Sequence, residues 1–211
     1  MFLTLEGIDG CGKSTVTRLL AERFADHRIK AAVRHMPRDI VRRNLSGLST
    51  MAQAMLFLTD HAQGLYEAAE VIASKDAWII SDRGWLSTCV YQFGEVCEDL
   101  TELQFMVDSA GFLLDRAYID GLRSRRVPRP KFGTIEAVIL RTPVEECMKR
   151  IAARSERDIF ETEDAELWKR RDALYGEIAE YLGIEITDTD GKTPAQVADE
   201  IWERHILKHL Q

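Results

Sequence analysis

Residues 1–24, MFLTLEGIDGCGKSTVTRLLAERF, decide how the rest of the chain is read. Phe2, Leu3 and Leu5 form a short apolar run that predicts a buried strand. Gly7, Gly10 and Gly12 then predict a turn. From Lys13 onward, Val16, Leu19, Leu20 and Phe24 recur at helical spacing. Strand, glycine turn and helix arrive in the order that a phosphate cradle needs.

Gly7 to Ser14 fits the P-loop pattern G-x-x-x-x-G-K-[ST]. Glycines tolerate positive φ and carry no side chain, so successive backbone N–H groups can turn inward around an anion. The following helix adds its unpaired N–H groups and the positive end of its dipole. In this pattern Lys13 reaches the β- and γ-phosphates and the Ser14 hydroxyl ligates Mg²⁺. The candidate nucleotide contacts are Gly7, Asp9, Gly10, Cys11, Gly12, Lys13, Ser14 and Thr15. A bare glycine-rich connection between a strand and a helix would show the same spacing. The flanking strand and helix supply the context that the motif requires.

Outside this stretch the chain alternates strand and helix. Ala31 to His35 predicts a second strand ended by Pro37, since proline stops a ladder. Ile40 to Leu45 predicts a short helix. Thr50 to Ser74 is a long helix, with Met51, Met55, Leu58, Ala62, Leu65 and Ala69 at core spacing. Trp78 to Ile80 is a compact apolar strand running into Ser81, Asp82 and Arg83. Leu86 to Phe93 and Thr101 to Leu114 predict helices, and Arg116 to Phe132 is polar and basic. Ile135 to Leu140 is the next strand, and Pro143 opens a helix to Arg154. Glu163 to Leu182 is helical, Ile184 to Thr187 is a last strand, and Thr193 to Leu210 is a closing helix with Pro194 in its first turn. Five strands separated by helices imply an α/β fold, a parallel sheet covered on both faces. Ligands in such sheets sit beyond the carboxyl ends of the strands. Gly7 to Ser14, Arg38, Asp82 and Arg83 all fall there.

The 211 residues fit one domain, 1–211. Charged residues make up 30% and apolar ones 45%, the balance of an ordinary globule. The net charge of −7 argues against a surface built to grip nucleic acid broadly, but not against a local basic groove. Cys11, Cys89, Cys97 and Cys147 lack C-x-x-C spacing, which argues against a zinc site or disulfide framework. Reduced thiols in a cytoplasm are the simple expectation. No apolar run approaches membrane-spanning length, and the first residues read as a strand rather than a signal peptide.

A second constellation, Asp82-Arg83-Gly84-Trp85-Leu86-Ser87-Thr88-Cys89-Val90-Tyr91-Gln92, follows the third predicted strand. Asp82 could hold Mg²⁺ through its waters. Arg83 could bridge an acceptor phosphate and neutralise charge during transfer. An Asp-Arg pair elsewhere would be a surface ion pair of little worth.

Together, FLTLEGIDGCGKST and DRGWLSTCVYQ resemble the thymidylate kinase family, marked by a GIDGSGKST-type loop and DR-x₃-S-x₂-AYQ. LFLTDHAQ, from Leu56 to Gln63, is similar to its LLF-x-A-x-R segment. The resemblance is close from Phe2 to Gln92 and looser through Pro143-Val144-Glu145 and Arg154 to Glu161. It implies a P-loop NTPase fold with a lid near 154–161, ATP and Mg²⁺ as cofactors, a nucleoside monophosphate as substrate and a homodimer. It places Asp9 near the acceptor sugar and phosphates, and Phe57 stacked on the acceptor base. Arg38 would hold the acceptor phosphate, with Arg34 or Arg42 as substitutes because the spacing from Pro37 differs. Arg83 would touch the same phosphate, Ser87 would be a further substrate contact, Tyr91 would crowd the sugar 2′ position and Gln92 would contact the pyrimidine. Packing within a helix would equally explain Phe57 and Tyr91, and a surface position would explain Gln92.

Departures from the family pattern fall at three places. His61 stands where the family has an arginine that reads the base. Ile159 replaces the lid arginine of DR-[FI]-E, leaving Arg154 and Arg157 to supply charge over the ATP phosphates. Arg141 stands where a strand-end acid is common. The basic run from Arg116 to Lys131 predicts a solvated loop, with a channel for a larger nucleotide as the sharper alternative.

The reaction implied is transfer of the ATP γ-phosphoryl to a pyrimidine deoxynucleoside monophosphate, foremost dTMP. Lys13, Arg83, Asp9, Arg154 and Arg157 are its candidate catalytic residues. Ser14 and Asp82 are the metal candidates. Three rivals remain: a deoxynucleoside kinase, a GTPase-like switch, and a kinase for a modified deoxyuridine monophosphate or for DNA. The deoxynucleoside kinase usually carries Glu-Arg-Ser where this chain has Asp-Arg-Gly. The switch needs Asn-Lys-x-Asp, and the only asparagine, Asn44, precedes Leu45.

Overall fold

The computed structural model describes residues 1–36, 41, 43–74, 77–128, 135–153 and 164–210. The elements run β1 (Phe2–Glu6), α1 (Lys13–Asp26), β2 (Lys30–His35), α2 (Thr50–Ala73) and β3 (Ala77–Asp82). A short helix, α3 (Trp85–Thr88), continues as a π-wound turn, Cys89–Phe93, and ends at Gly94–Val96. Then come α4 (Leu100–Ser124), β4 (Ile135–Arg141), α5 (Val144–Ala152), α6 (Ala165–Leu182), β5 (Ile186–Asp188) and α7 (Pro194–Ile201). The chain closes with a π-wound turn, Trp202–Ile206, and a 3₁₀ turn, Leu207–His209.

The five strands form one parallel sheet in the order β2-β3-β1-β4-β5. Every residue of β1 is buried, as a central parallel strand requires. One helical layer pairs α1 with α7 and the other pairs α2 with α4. Phe24 of α1 joins the first layer to the sheet, its ring 5.2 Å from Trp78 and 4.9 Å from Trp202. In register, Leu5 of β1 lies opposite Asp82 of β3, so the loops that leave these strands start side by side. This is the P-loop NTPase architecture that the sequence implies.

Element ends differ from the sequence reading. The predicted helix over Thr101 to Leu114 runs on to Ser124, so the basic stretch begins in a helix rather than in a solvated loop. Tyr118, Gly121 and Leu122 bury one face of it. A Cβ on Gly121 would come within 2.5 Å of the Tyr66 carbonyl and 2.7 Å of Ala69 Cβ, which shows how closely α4 approaches α2. Arg125 donates to the Tyr66 carbonyl at 2.9 Å and lies 5.0 Å from the Tyr66 ring centre. That guanidinium fastens helices rather than lining a nucleotide channel; Arg129 and Lys131 lie outside the described residues. Thr193 caps α7 through Gln196, with Pro194 at the first helical position as predicted. Of the predicted helix over Ile40 to Leu45, residues 40 and 42 lie outside the described residues; Val41 is helical, but Arg43 and Asn44 form a turn and Leu45 is irregular, so the helix does not run to Leu45.

Candidate active site

The phosphate loop leaves β1 through three glycines at positive φ: Gly7 at 130°, Gly10 at 80° and Gly12 at 100°. A Cβ on Gly7 would fall 2.4 Å from the Leu140 carbonyl oxygen, so the loop lies flat against the end of β4. Gly12 caps α1, whose first residue is Lys13. The Lys13 ammonium is buried and donates to the carbonyls of Gly7 at 2.9 Å and Ile8 at 2.8 Å, with Cys11 Sγ at 3.6 Å. Burial works against its charge, but Cys11, Tyr91, Tyr175 and Asp82 outweigh it and hold the ammonium above the ordinary lysine value. Ser14 and Thr15 are exposed in the first turn of α1. The loop therefore offers N–H groups, a fixed cation and a free-facing hydroxyl to a polyanion.

The second constellation closes on the first. Arg83 Nη2 pairs with Asp9 Oδ1. The Tyr91 phenol donates to Asp9 Oδ2 at 2.8 Å and accepts from the Asp9 amide at 3.2 Å. Arg83 Nη1 donates to Ser87 Oγ at 3.4 Å. The Arg83 backbone sits at φ 75°, a left-handed conformation that costs a bulky residue about 1–3 kcal/mol. The Ser81 hydroxyl holds it by donating to the Arg83 carbonyl at 2.6 Å, while the Arg83 amide donates to the Leu5 carbonyl at 3.0 Å. Asp82 is buried at the end of β3, 3.6 Å from His35 Nδ1.

A model of the thymidylate kinase family matches residues 5–110. The chain belongs to the thymidylate kinase family. The "Probable thymidylate kinase" of Thermococcus onnurineus (strain NA1) is 31% identical over 196 residues, 85% of this chain and 84% of the relative. A thymidylate kinase of Rhodopseudomonas palustris (strain TIE-1) is 30% identical over 231 residues, covering 100% of this chain and 90% of the relative. The solved thymidylate kinase of Candida albicans shares the fold at a TM-score of 0.62 and 20% identity, across 96% of this chain and 89% of that one. This chain is accordingly a nucleoside-monophosphate kinase, a phosphotransferase.

Phe57 is buried in a small cluster with Val41 and Leu45, apart from the main core. His61 is half-buried, and burial pushes it down to about 4, with Arg34 reinforcing and Asp60 opposing. It is therefore neutral at physiological pH, unlike the arginine that the family pattern places there. His61 shares a cavity of about 50 Å³ with Arg34, Gly64, Gly84, Trp85 and Leu114, between the sheet and the α2–α4 layer. Arg34 donates to the Gly64 carbonyl at 2.8 Å, so it is tied to α2. Gln92 is buried within the π-wound turn, which rules out the surface position. Arg141 pairs with Asp172 of α6 at 3.3 Å, so the acid missing from the strand end is met by one on the facing helix. Arg38, Arg42, Arg154 and Arg157, with the lid segment, lie outside the described residues.

Sequence reasoning missed three residues of this cluster. Glu6 is fully buried at the end of β1 and receives the Ser87 hydroxyl at 2.7 Å and the Leu86 amide at 3.3 Å. Burial raises its pKa, opposed by Ser87, the Gly84 amide, Arg83 and Lys13. The signal available was an acid inside an apolar strand, a residue rarely buried without partners. Tyr175 and Arg171 come from α6, and no local pattern marks them.

Proposed function

We propose that this protein transfers the γ-phosphoryl group of ATP to dTMP, giving dTDP and ADP. The observation that carries the reading is the contact between the two constellations. The glycine loop with Lys13 and the Asp9–Arg83 pair occupy neighbouring strand ends, so two anion sites adjoin. Lys13 and the loop amides would take the ATP phosphates, with the ammonium exchanging loop carbonyls for phosphate oxygens. Arg83 would grip the acceptor phosphate with N–H donors in a planar fork, and Asp9 and Ser87 fix the plane of that fork. Tyr91, held on Asp9, would stand against the deoxyribose. The attacking group is an ionised phosphate oxygen, so alignment and charge neutralisation carry the catalysis. The exposed Ser14 hydroxyl and the Asp82 carboxylate form a hard oxygen donor set that suits Mg²⁺, which would supply further neutralisation of phosphate charge. Arg154 and Arg157 are the candidate cations of a lid over the ATP phosphates. Phe57, His61 and Gln92 are the candidate base contacts, and Arg38 a further phosphate contact.

A second acceptor is favoured by one observation. The cavity beside neutral His61 leaves room for a small group, which suits a deoxyuridine monophosphate enlarged at the base. Among the described residues no helix is long and apolar enough to cross a membrane, in keeping with work on free nucleotides in the cytoplasm. The 1–211 chain would act as one kinase domain and pair with a second copy through α4.

The test is ADP release from ATP with dTMP, dUMP, 5-substituted dUMP, dCMP, dGMP and thymidine, using Lys13→Ala as control. Turnover with dTMP, reduced about a thousandfold or more in Lys13→Ala, is expected. Turnover with thymidine and none with dTMP would overturn the reading. Activity on a 5-substituted dUMP alone would establish the second acceptor.

A further inference from the structure

Helix α6 sends two side chains, one turn apart, into the polar cluster around Arg83. Tyr175 is buried with its phenol oxygen 3.0 Å from Ser87 Oγ. Arg171 is 4% exposed and lies 4.3 Å from the centre of the Tyr91 ring, with Nη2 3.2 Å from Glu95 Oε1.

Proton counting fixes the direction of these bonds. Serine has one proton and two lone pairs. Ser87 gives its proton to Glu6 at 2.7 Å. The Tyr175 phenol must then donate to Ser87, which also receives Arg83 Nη1 at 3.4 Å. Burial raises the Tyr175 pKa, so the phenol keeps the proton this needs. The Ser87 hydroxyl is thus fully engaged: it gives one bond and receives two. It acts as a strut that orients Arg83 rather than as a donor to substrate. On the other side, Tyr91 exchanges two hydrogen bonds with Asp9, so the place of its ring sets the place of that carboxylate. Arg171 holds the ring by a cation–π contact with its charge taken out of water.

We propose that Tyr175 and Arg171 are positioning residues for the acceptor phosphate: Tyr175 acts through Ser87 on Arg83, and Arg171 acts through Tyr91 on Asp9. The inference rests on the kinase reading above. It assigns the precision of the acceptor site to a helix far along the chain from both motifs, and it predicts that acceptor and donor binding respond differently.

Tyr175→Phe keeps the ring and removes the hydroxyl that donates to Ser87. Arg171→Met keeps the length and removes the charge, and Arg171→Lys restores a cation. Calorimetry should measure dTMP and ATP binding separately, alongside kcat, KM and Tm. Tyr175→Phe should weaken dTMP binding about tenfold, the worth of one hydrogen bond, while ATP binding stays within about twofold. Arg171→Met should show the same asymmetry, with part of the loss recovered in Arg171→Lys. Unchanged dTMP binding in Tyr175→Phe, or equal losses for ATP and dTMP, would overturn the positioning roles. Wild-type protein that binds no dTMP would overturn the dTMP reading and the inference with it. If Arg171→Met does not fold, Tyr175→Phe alone decides the matter.

Discussion

Gly10 and Gly12 share a left-handed backbone but have different surroundings, and the difference can be measured. At Gly10, φ 80°, a Cβ would lie 2.6 Å from the Cys147 carbonyl oxygen and 3.0 Å from its Cα. At Gly12, φ 100°, it would meet nothing within 4 Å. Gly12→Ala therefore carries only backbone strain, about 1–2 kcal/mol. Gly10→Ala adds a clash against backbone, bringing the loss to about 2–4 kcal/mol. Urea unfolding of both variants should rank them so, and equal losses would mean that conformation alone sets the cost. The glycines were legible because a phosphate loop constrains neighbours in sequence. Asp82 and Arg83 were legible because they follow an apolar strand. Glu6 was not: its partner Ser87 is 81 residues away, and the next member, Tyr175, another 88 beyond that. Nor could the sequence say that His61 is neutral, since that depends on burial and on Arg34 arriving from β2.

Helices announced themselves by period, but their ends did not. In α4 the arginines from Arg116 onward hide Tyr118, Gly121 and Leu122, whose spacing continues the buried stripe against α2. The closing helix misleads in the opposite way. It keeps an apolar pattern but changes winding after Ile201, first to a π turn and then to a 3₁₀ turn. The changed winding brings three basic side chains onto Glu136 of β4: His209 Nε2 at 2.6 Å, Lys208 Nζ at 3.1 Å and His205 Nδ1 at 3.4 Å. Glu185 faces the same cluster, 3.8 Å from His205 Nε2 and paired with Arg204. Burial alone would raise Glu136, but bonds from His205, His209 and Lys208 pull it from 4.5 down to about 2. A folded-state value below the unfolded one stabilises the fold fully above pH 4.5, and that stability is lost as pH falls through about 2. Glu136→Gln should therefore flatten the decline of the urea midpoint between pH 4.5 and 2.5. Near neutrality it should cost about 1–2 kcal/mol after solvent screening. A variant with an unchanged slope would show that the terminal turns are held by Trp202 and Ile206 packing instead.

The order of the strands was not written in any one stretch, yet the whole site depends on it. Placing β1 between β3 and β4 sets the glycine loop beside Arg83 and leaves the α2–α4 layer with an outer surface. On that surface Phe105 is 68% exposed, Phe112 65% and Leu113 56%. Phe105 and Phe112 are seven residues apart on α4 and so share a stripe of the helix. Two phenylalanines from each of two copies would contribute about 6–12 kcal/mol of apolar burial. Association costs about 4–15 kcal/mol, so the stripe is large enough to decide the balance and small enough to be removed by two substitutions. Sedimentation at micromolar concentration should find the protein at twice its 24.1 kDa chain mass. The double variant Phe105→Glu, Phe112→Glu should sediment as one chain with an unchanged Tm, because neither side chain belongs to the core. A wild-type chain that sediments singly at these concentrations would refute the pairing. A variant that still pairs would move the interface off α4 and onto the Met51 and Met55 face of α2, where both methionines are exposed.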